Sequence, residues 1–386
     1  DAISGNLPRG TMFNVHLKHA INGVPVHYTH PIYIFGSQAE TSGFQVVCLF
    51  GRFDTETLME KMDSLGGNQN ALILLDYFLT LQDRSKLARL TKKKGTNGKT
   101  IAVIDRIVIS YLVQHYSETS VNRMLMSLIM PFASFQPYIP ESSQTMPQEI
   151  FIGRRNELES IKDPKGPNIV YGGRQLGKSA LLKKARKDID HNQNKDRAVL
   201  VDIKDLDYRA VAKKITETLY DEGILAESDI TENWSELSRS IRNRLRSEEN
   251  KIPYLLLLLD EADAFLESCE AIGYTPFDAL KEIQSMEGNR FKFIVAGLRN
   301  VVRFNQKILA NNTVLPHMSS LTVKPFNSVE ATELLEMPLR YLGFRFERDE
   351  ETQRLISTIL NTTNYFPGML QLYCSCLLYT SPSPRD

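Results

Sequence analysis

The chain reads as two α/β domains with parallel sheets, joined by a proline-rich linker and closed by a helical segment. Three observations lead there. Short apolar runs alternate with helix-periodic segments before residue 136, the alternation resumes after residue 150, and from Asn327 the strand-like runs stop while helical periodicity continues. A length of 386 residues suits two to three domains. Hydrophobic residues at 42% and charged residues at 24% exclude a wholly disordered or collagen-like chain. Lys+Arg 46 balance Asp+Glu 46, so no global basic field draws in nucleic acid or an anionic membrane. Cys48, Cys269, Cys374 and Cys376 are too scattered for a disulfide framework, and no histidine stands at zinc-ligand spacing from the close pair; a reducing, cytoplasmic compartment is expected. The uncharged stretch Met124 to Pro140 carries three prolines and falls short of the ~20 apolar residues of a membrane helix.

The chain opens on Asp1 rather than Met, without the layout of a secretion signal, and an N-terminal truncation is expected. Residues 1–136 form the first α/β domain, of unknown role. Its apolar runs Phe44 to Phe50, Ala71 to Leu75 and Ile101 to Leu112 alternate with helical segments near Thr55 to Leu65 and Gln82 to Lys94. Asp76 and Asp105-Arg106 stand at strand ends, where chemistry and helix capping are both open readings. Gly95-Thr96-Asn97-Gly98-Lys99-Thr100 ends in a G-K-T triplet, but a full phosphate loop needs glycine where Lys93 stands. It also precedes a strand, so an exposed turn is expected. Residues 137–149 are the linker, rich in proline and small polar residues. The second domain, 150–326, has strand candidates Asn168 to Tyr171, Ala198 to Ile203, Tyr254 to Leu259, Phe291 to Ala296 and Leu321 to Val323. Between them Trp234, Leu237, Ile241 and Leu245, and likewise Val211, Ile215 and Leu219, form single apolar stripes that belong to the core. A helical lid at 327–375 opens with a capping box, Asn327 with Glu330, and continues in helices near Asp349 to Leu360 and Pro367 to Ser375. The tail 376–386, CLLYTSPSPRD, resembles a translated sequencing-library adapter under one choice of codons; the natural protein is then expected to continue beyond Ser375.

Gly172-Gly173-Arg174-Gln175-Leu176-Gly177-Lys178-Ser179 is a full G-x-x-x-x-G-K-[ST] string, entered from an apolar strand and left by a helix with Leu181, Leu182, Ala185 and Ile189 on one face. Such a loop curls its N–H groups and a helix N-terminus around one anion, with contacts from Gly172 through Ala180. Lys178 would reach the β- and γ-phosphates, and Ser179 would ligate Mg²⁺. The run Ile252 to Asp263, with five leucines, reads as a central strand buried on both faces that delivers Asp260 and Glu261 to its carboxyl end. Asp260 would hold the hydration shell of the metal, and Glu261 would orient and deprotonate an attacking water, which favours hydrolysis over transfer to an acceptor. An N-K-x-D motif for guanine is not in place, so adenine is the expected base.

These residues resemble the AAA+-like, STAND-type P-loop ATPases, a group that includes archaeal-type and origin-recognition ATPases, over roughly Phe151 to Ser375. Phe151-Ile152-Gly153-Arg154-Arg155-Asn156-Glu157-Leu158 is similar to the family's entrance motif, implying that Gly153 and Arg154 approach the nucleotide; the family's usual Glu is Arg155 here. Phe291 to Asn300 resembles its sensor strand, implying Arg299, then Asn300, near the γ-phosphate. Asn364-Tyr365-Phe366-Pro367-Gly368 resembles the lid motif, implying that Pro367 packs on adenine. Met369, Leu370 and Gln371 follow where some AAA+ proteins carry a sensor arginine, a departure that favours a switch over a ring motor.

The resemblance thus implies an ASCE/AAA+-like P-loop NTPase fold, a parallel five-stranded sheet with a helical lid, and an ATPase using ATP and Mg²⁺ as a nucleotide-controlled switch. The partner would be another protein or further copies of the chain. The alternatives are a DNA-binding ATPase of origin-recognition or repair type, or an ATP-binding scaffold without turnover. The basic residues Lys183, Lys184, Arg186 and Lys187 read as a solvated helix face rather than a nucleic-acid surface.

Overall fold

A computed structural model describes residues 10–15, 20–21, 24–25, 35–37, 39, 43–64, 70–94, 100–115, 124–125, 128–129, 137–139, 146–190, 195–248, 251–298, 319–341 and 346–380. The N-terminal part is built on β1 (Gly10–Val15), β4 (Phe44–Leu49), β5 (Ala71–Leu75) and β6 (Ile101–Ile104), side by side in that order, with a separate two-stranded ribbon of β2 (Ala20–Ile21) and β3 (Val24–Pro25). β4, β5 and β6 run parallel, as the alternation with α1 (Thr55–Ser64) and α2 (Leu81–Lys94) requires. β1 adds an antiparallel edge strand that the apolar runs did not disclose. One face of the sheet packs Val47, Leu49, Ile73 and Leu75 against Leu58, Met59 and Leu87.

The run Ile101 to Leu112 is a strand and a helix rather than one strand. It breaks at Asp105, whose carboxylate accepts the Val108 N–H at 3.0 Å and so starts α3 (Arg106–Gln114). The same carboxylate is fully buried, accepts the Leu79 N–H at 2.7 Å and pairs with Arg84 at 2.5 Å. Asp76 accepts the Gly51 N–H at 2.9 Å. Both strand-end acids therefore tie loops together. The Gly95 to Thr100 turn lies, but for Thr100, outside the described residues.

The second sheet holds β7 (Ile169–Tyr171), β8 (Arg197–Asp202), β9 (Leu255–Asp260), β10 (Phe291–Gly297) and β11 (Ser320–Thr322), all parallel, in the order β11-β7-β10-β9-β8. Each strand falls within one residue of its sequence expectation. Leu255, Leu257 and Leu259 face α6 (Tyr208–Asp221), α7 (Trp234–Arg246), α8 (Asp263–Glu270) and α9 (Thr275–Glu287). Leu256 and Leu258 face α4 (Arg155–Lys162) and α5 (Lys178–Asp190). A strand covered on both sides keeps no polar face, hence the leucine run.

Lys292 is the exception to that pattern. It sits fully buried in β10, and its Nζ donates to the carbonyls of Ser160 (3.1 Å), Ile161 (2.8 Å) and Asp163 (2.7 Å) at the end of α4. The ammonium closes carbonyls that a helix C-terminus otherwise leaves open.

Three helices form the lid: α10 (Ser328–Tyr341), α11 (Glu350–Thr362) and α12 (Pro367–Thr380). The capping box is present: the Asn327 N–H donates to Glu330 Oε2 at 3.1 Å and the Glu330 N–H to Asn327 Oδ1 at 2.9 Å. α12 runs on past Ser375, through Cys376 to Thr380. No helix among the described residues is long and apolar enough to cross a membrane.

Candidate functional site

β7, with Ile169 and Val170 buried, delivers its chain to the carboxyl end of the sheet, where the loop Gly172 to Gly177 turns into α5. The turn uses a left-handed backbone at Gln175 (φ +60) and at Gly177 (φ +87), the latter a conformation that L side chains strain to adopt. Lys178 is buried and folds back over the loop, its Nζ donating to the carbonyls of Gly172 at 2.9 Å and Gly173 at 3.0 Å. The Gln175 carbonyl accepts the Gly368 N–H at 3.0 Å and the Leu176 carbonyl accepts Arg154 at 3.2 Å. Four loop carbonyls are thus engaged, while no N–H from Gly172 to Gly177 finds a partner among the described residues. These N–H groups, with the first turn of α5, form a concave electropositive cradle of the kind that takes a phosphate.

The acids arrive from β9. The buried Asp260 carboxylate lies beside the Ser179 side chain and accepts the Glu261 N–H at 3.0 Å. Burial pushes its carboxyl above the usual range, against the influence of Ser179, the Glu261 N–H and Lys178. Glu261 is only partly buried, with a left-handed backbone (φ +57). Burial first, and the Asp260 charge second, push its carboxyl up as well. Burial draws the Lys178 ammonium down, opposed by Glu261, Asp260 and Asp263. Lys178, Ser179, Asp260 and Glu261, far apart in the chain, are therefore brought together.

Two further acids join them. Asp202 ends β8 directly opposite Asp260. Ala198 packs, and Leu200 partly packs, on the α5 side of the sheet with Leu256 and Leu258, so strand alternation puts Asp202 and Asp260 on that side too, toward Ser179. One Asp202 oxygen accepts the Lys204 N–H at 3.1 Å. Asp263 accepts the Leu298 N–H at 2.7 Å, tying the end of β10 to the acidic strand. Both carried a signal in the sequence, an acid closing an apolar strand and the third acid of D-E-A-D.

Arg154 is buried, with φ +61, and its guanidinium binds Glu157 (3.1 Å), the Leu176 carbonyl and the Lys324 carbonyl while lying 4.8 Å over the Phe326 ring. It clamps the loop to the chain after β11. Gly153 precedes it against Glu330 of α10. Pro367 begins α12 over Gly177, and Gly368 lies so close to Gln175 that a Cβ would meet Gln175 Cβ at 2.9 Å. Arg174 and Gln175 are exposed, and Ala180 is half-buried. Arg299 and Asn300 lie outside the described residues. A separate cavity of about 930 Å³, lined by Tyr208, Arg209, Trp234, Asp278 and Glu282 among others, shares no residue with the loop.

A five-stranded parallel sheet, a strand–loop–helix phosphate cradle and an acidic pair on a neighbouring buried strand decide the architecture. The core has the P-loop NTPase fold. The helical lid, α10 to α12, follows the sheet and touches the loop through Gly368. No protein-family model matches the chain, and no curated protein does. Among solved structures, a Walker-type ATPase of Pyrococcus abyssi aligns at 15% identity over 62% of this chain and 71% of its own, with a TM-score of 0.47. The Aeropyrum pernix ORC2 protein aligns at 18% identity over 62% of this chain and 64% of its own, TM-score 0.44, so less than two-thirds of ORC2 is matched. AMPPCP-bound DnaA from Aquifex aeolicus aligns at 15% identity over 65% and 67%, TM-score 0.35. At such identities and scores these likenesses add nothing to the strand order and loop geometry, which carry the fold of the P-loop core by themselves.

Proposed function

We propose that the P-loop core binds Mg²⁺-ATP and hydrolyses it slowly, as a STAND-like nucleotide-controlled switch. The convergence of Lys178, Ser179, Asp260 and Glu261 beside a cradle of unpartnered N–H groups carries this reading. The donor set suits the ligands: hydroxyl and carboxylate oxygens are what Mg²⁺ takes, and a triphosphate takes N–H groups and an ammonium. Ser179 and Asp260 would hold the metal, which when bound supplies charge neutralisation at the phosphate oxygens. Lys178 stabilises the charge that grows there in the transition state. Glu261, less buried than Asp260 and next to it, orients the attacking water and takes its proton. Pro367, over Gly177, closes the adenine side. The paired basic residues of α5, Lys184 with Asp188 at 2.6 Å and Arg186 with Asp190 at 3.5 Å, do not favour the nucleic-acid alternative.

Phosphate release and nucleotide binding, measured separately, test this. Glu261→Gln is expected to keep ATP binding and lower phosphate release ~10²-fold or more, the usual worth of a general base. Lys178→Ala is expected to lose both. Equal turnover by wild type and Glu261→Gln, or undiminished binding by Lys178→Ala, overturns the assignment.

A further inference from the structure

The linker that the sequence marks by its prolines and small polar residues is buried at residues 137–139 and at Pro147, and both described ends reach the lid, Ile139 and Met146 through Gln371 of α12. Tyr138 is 1% exposed and packs among Ala331, Leu334, Leu335 and Leu370, its hydroxyl donating to the Leu335 carbonyl at 2.6 Å. The next residue turns the other way. Ile139 packs with Ala102, Ile104 and Val108 of the N-terminal domain, while its N–H donates to Gln371 Oε1 on α12 at 2.6 Å. Leu339 of α10 touches both clusters.

The residues just past the far end of the linker repeat the division. Ile150 belongs to the N-terminal cluster, Phe151 packs on the P-loop core and Ile152 enters the lid cluster. Glu149 holds Ser37 through the Ser37 N–H at 2.9 Å and hydroxyl at 2.5 Å. The short turn Gln148–Ile150 packs against α10, and through Ile150 and Leu339 both join the cluster of Ala102, Ile104 and Val108 in the N-terminal domain. Gly153 and Arg154, both at positive φ, follow immediately and begin the core.

We propose that the N-terminal α/β domain is mounted on the lid, so that nucleotide-driven movement of the lid over the P-loop carries that domain with it relative to the core. This rests on the nucleotide reading above. The lid touches the loop itself, through Gly368 and Gln175, so whatever fills the loop acts on the same body that Tyr138 and Ile139 grip. The N-terminal domain is then the output arm of the switch, and residues 150–154 are the pivot.

Fluorescence energy transfer in the full chain tests it, with Cys48 and Cys376 replaced by serine and dye pairs placed at exposed Glu60 (N-terminal domain), Glu227 (core) and Gln353 (lid) after substitution by cysteine. Fluorescent-nucleotide binding is measured alongside. On adding Mg²⁺ and a non-hydrolysable ATP analogue, the 227–353 and 60–227 pairs are expected to shift together while the 60–353 pair stays constant. A shift of 227–353 with 60–227 unchanged, or a shift of 60–353, overturns the proposal. Absence of nucleotide binding overturns the nucleotide reading and this inference with it. Tyr138→Phe combined with Gln371→Leu removes both hydrogen bonds and is expected to make the 60–353 pair respond; Tyr138→Phe alone keeps the ring in place should the double variant not fold. Undisturbed constancy of 60–353 in a folded double variant refutes the part given to these two residues.

Discussion

Replacing Lys292 with methionine removes a buried ammonium whose charge is costly to the fold at neutral pH. Burial draws its pKa from the usual 10.5 down to about 8, against three carbonyl partners and the charge of Asp163. Between those two values the unfolded chain holds a proton that the native chain has released, so this group adds stability as pH rises from about 8 toward 10.5. At 1.36 kcal/mol per unit, the gain between pH 7 and pH 9.5 is about 2 kcal/mol. Other groups titrate nearby with the opposite sign. The thiols of Cys269 and Cys374 are pushed up by burial, the latter to about 12, and their contribution is lost as pH climbs past the unfolded thiol value of 9.0. The buried hydroxyls of Tyr138 and Tyr254 act the same way only above pH 10. These terms are common to wild type and Lys292→Met and cancel in the difference between them. Urea unfolding is followed at pH 7 to 9.5 through Trp234, the one tryptophan of the chain, which is buried in the core and stacked on Phe265 at 5.6 Å. The stability difference is expected to move by about 2 kcal/mol in favour of wild type across that range. Parallel pH curves for the two proteins would refute the reasoning.

Gly368→Ala sets two effects of opposite sign against each other. A helix gains up to ~1 kcal/mol from the exchange, whereas here the new Cβ meets Gln175 at 2.9 Å and separates the lid from the loop. A loss of nucleotide affinity of about tenfold or more is expected in fluorescent-nucleotide titrations; unchanged affinity with a more stable lid would show that the contact is not needed. Asp105→Ala removes the buried carboxylate that pairs with Arg84 and frees the Leu79 and Val108 N–H groups in a closed site. Breaking a buried pair costs about 3–5 kcal/mol, so the N-terminal domain is expected to melt earlier, while the Trp234 transition of the core stays where it was.

The parts legible in the sequence are those where one physical demand acts on consecutive residues. β9 needs apolar side chains on both faces, and five leucines in a row say so. The phosphate loop needs its glycines, lysine and hydroxyl at set intervals, so its place between a strand and a helix is legible in the sequence. α7 needs one stripe, and Trp234, Leu237, Ile241 and Leu245 supply it. Lys292 was illegible for the converse reason. Hydropathy counts lysine as exposed, and only the end of α4, more than a hundred residues earlier, accounts for an ammonium in the middle of β10. Arg154 was legible as part of a motif but not in its detail. Its contacts to Leu176 and Lys324 depend on three chain segments meeting, which no local pattern encodes.

The linker shows the same limit at its sharpest. Prolines and small polar residues do mark a stretch that forms no helix or long strand, but an extended stretch still points successive side chains in opposite directions. When such a segment runs between three bodies, alternation is enough to bury it without any periodic signal. Tyr138 enters the lid and Ile139 the N-terminal cluster, and at the other end Ile150, Phe151 and Ile152 go to three different clusters. A segment held in this way cannot be a passive tether, because motion of the lid on the core must be absorbed both between β11 and α10 and within the few residues between Ile150 and the start of α4. The left-handed backbone at Gly153 and Arg154 falls in that interval, and the Arg154 guanidinium holds the loop carbonyl of Leu176, so the pivot and the phosphate cradle share a residue.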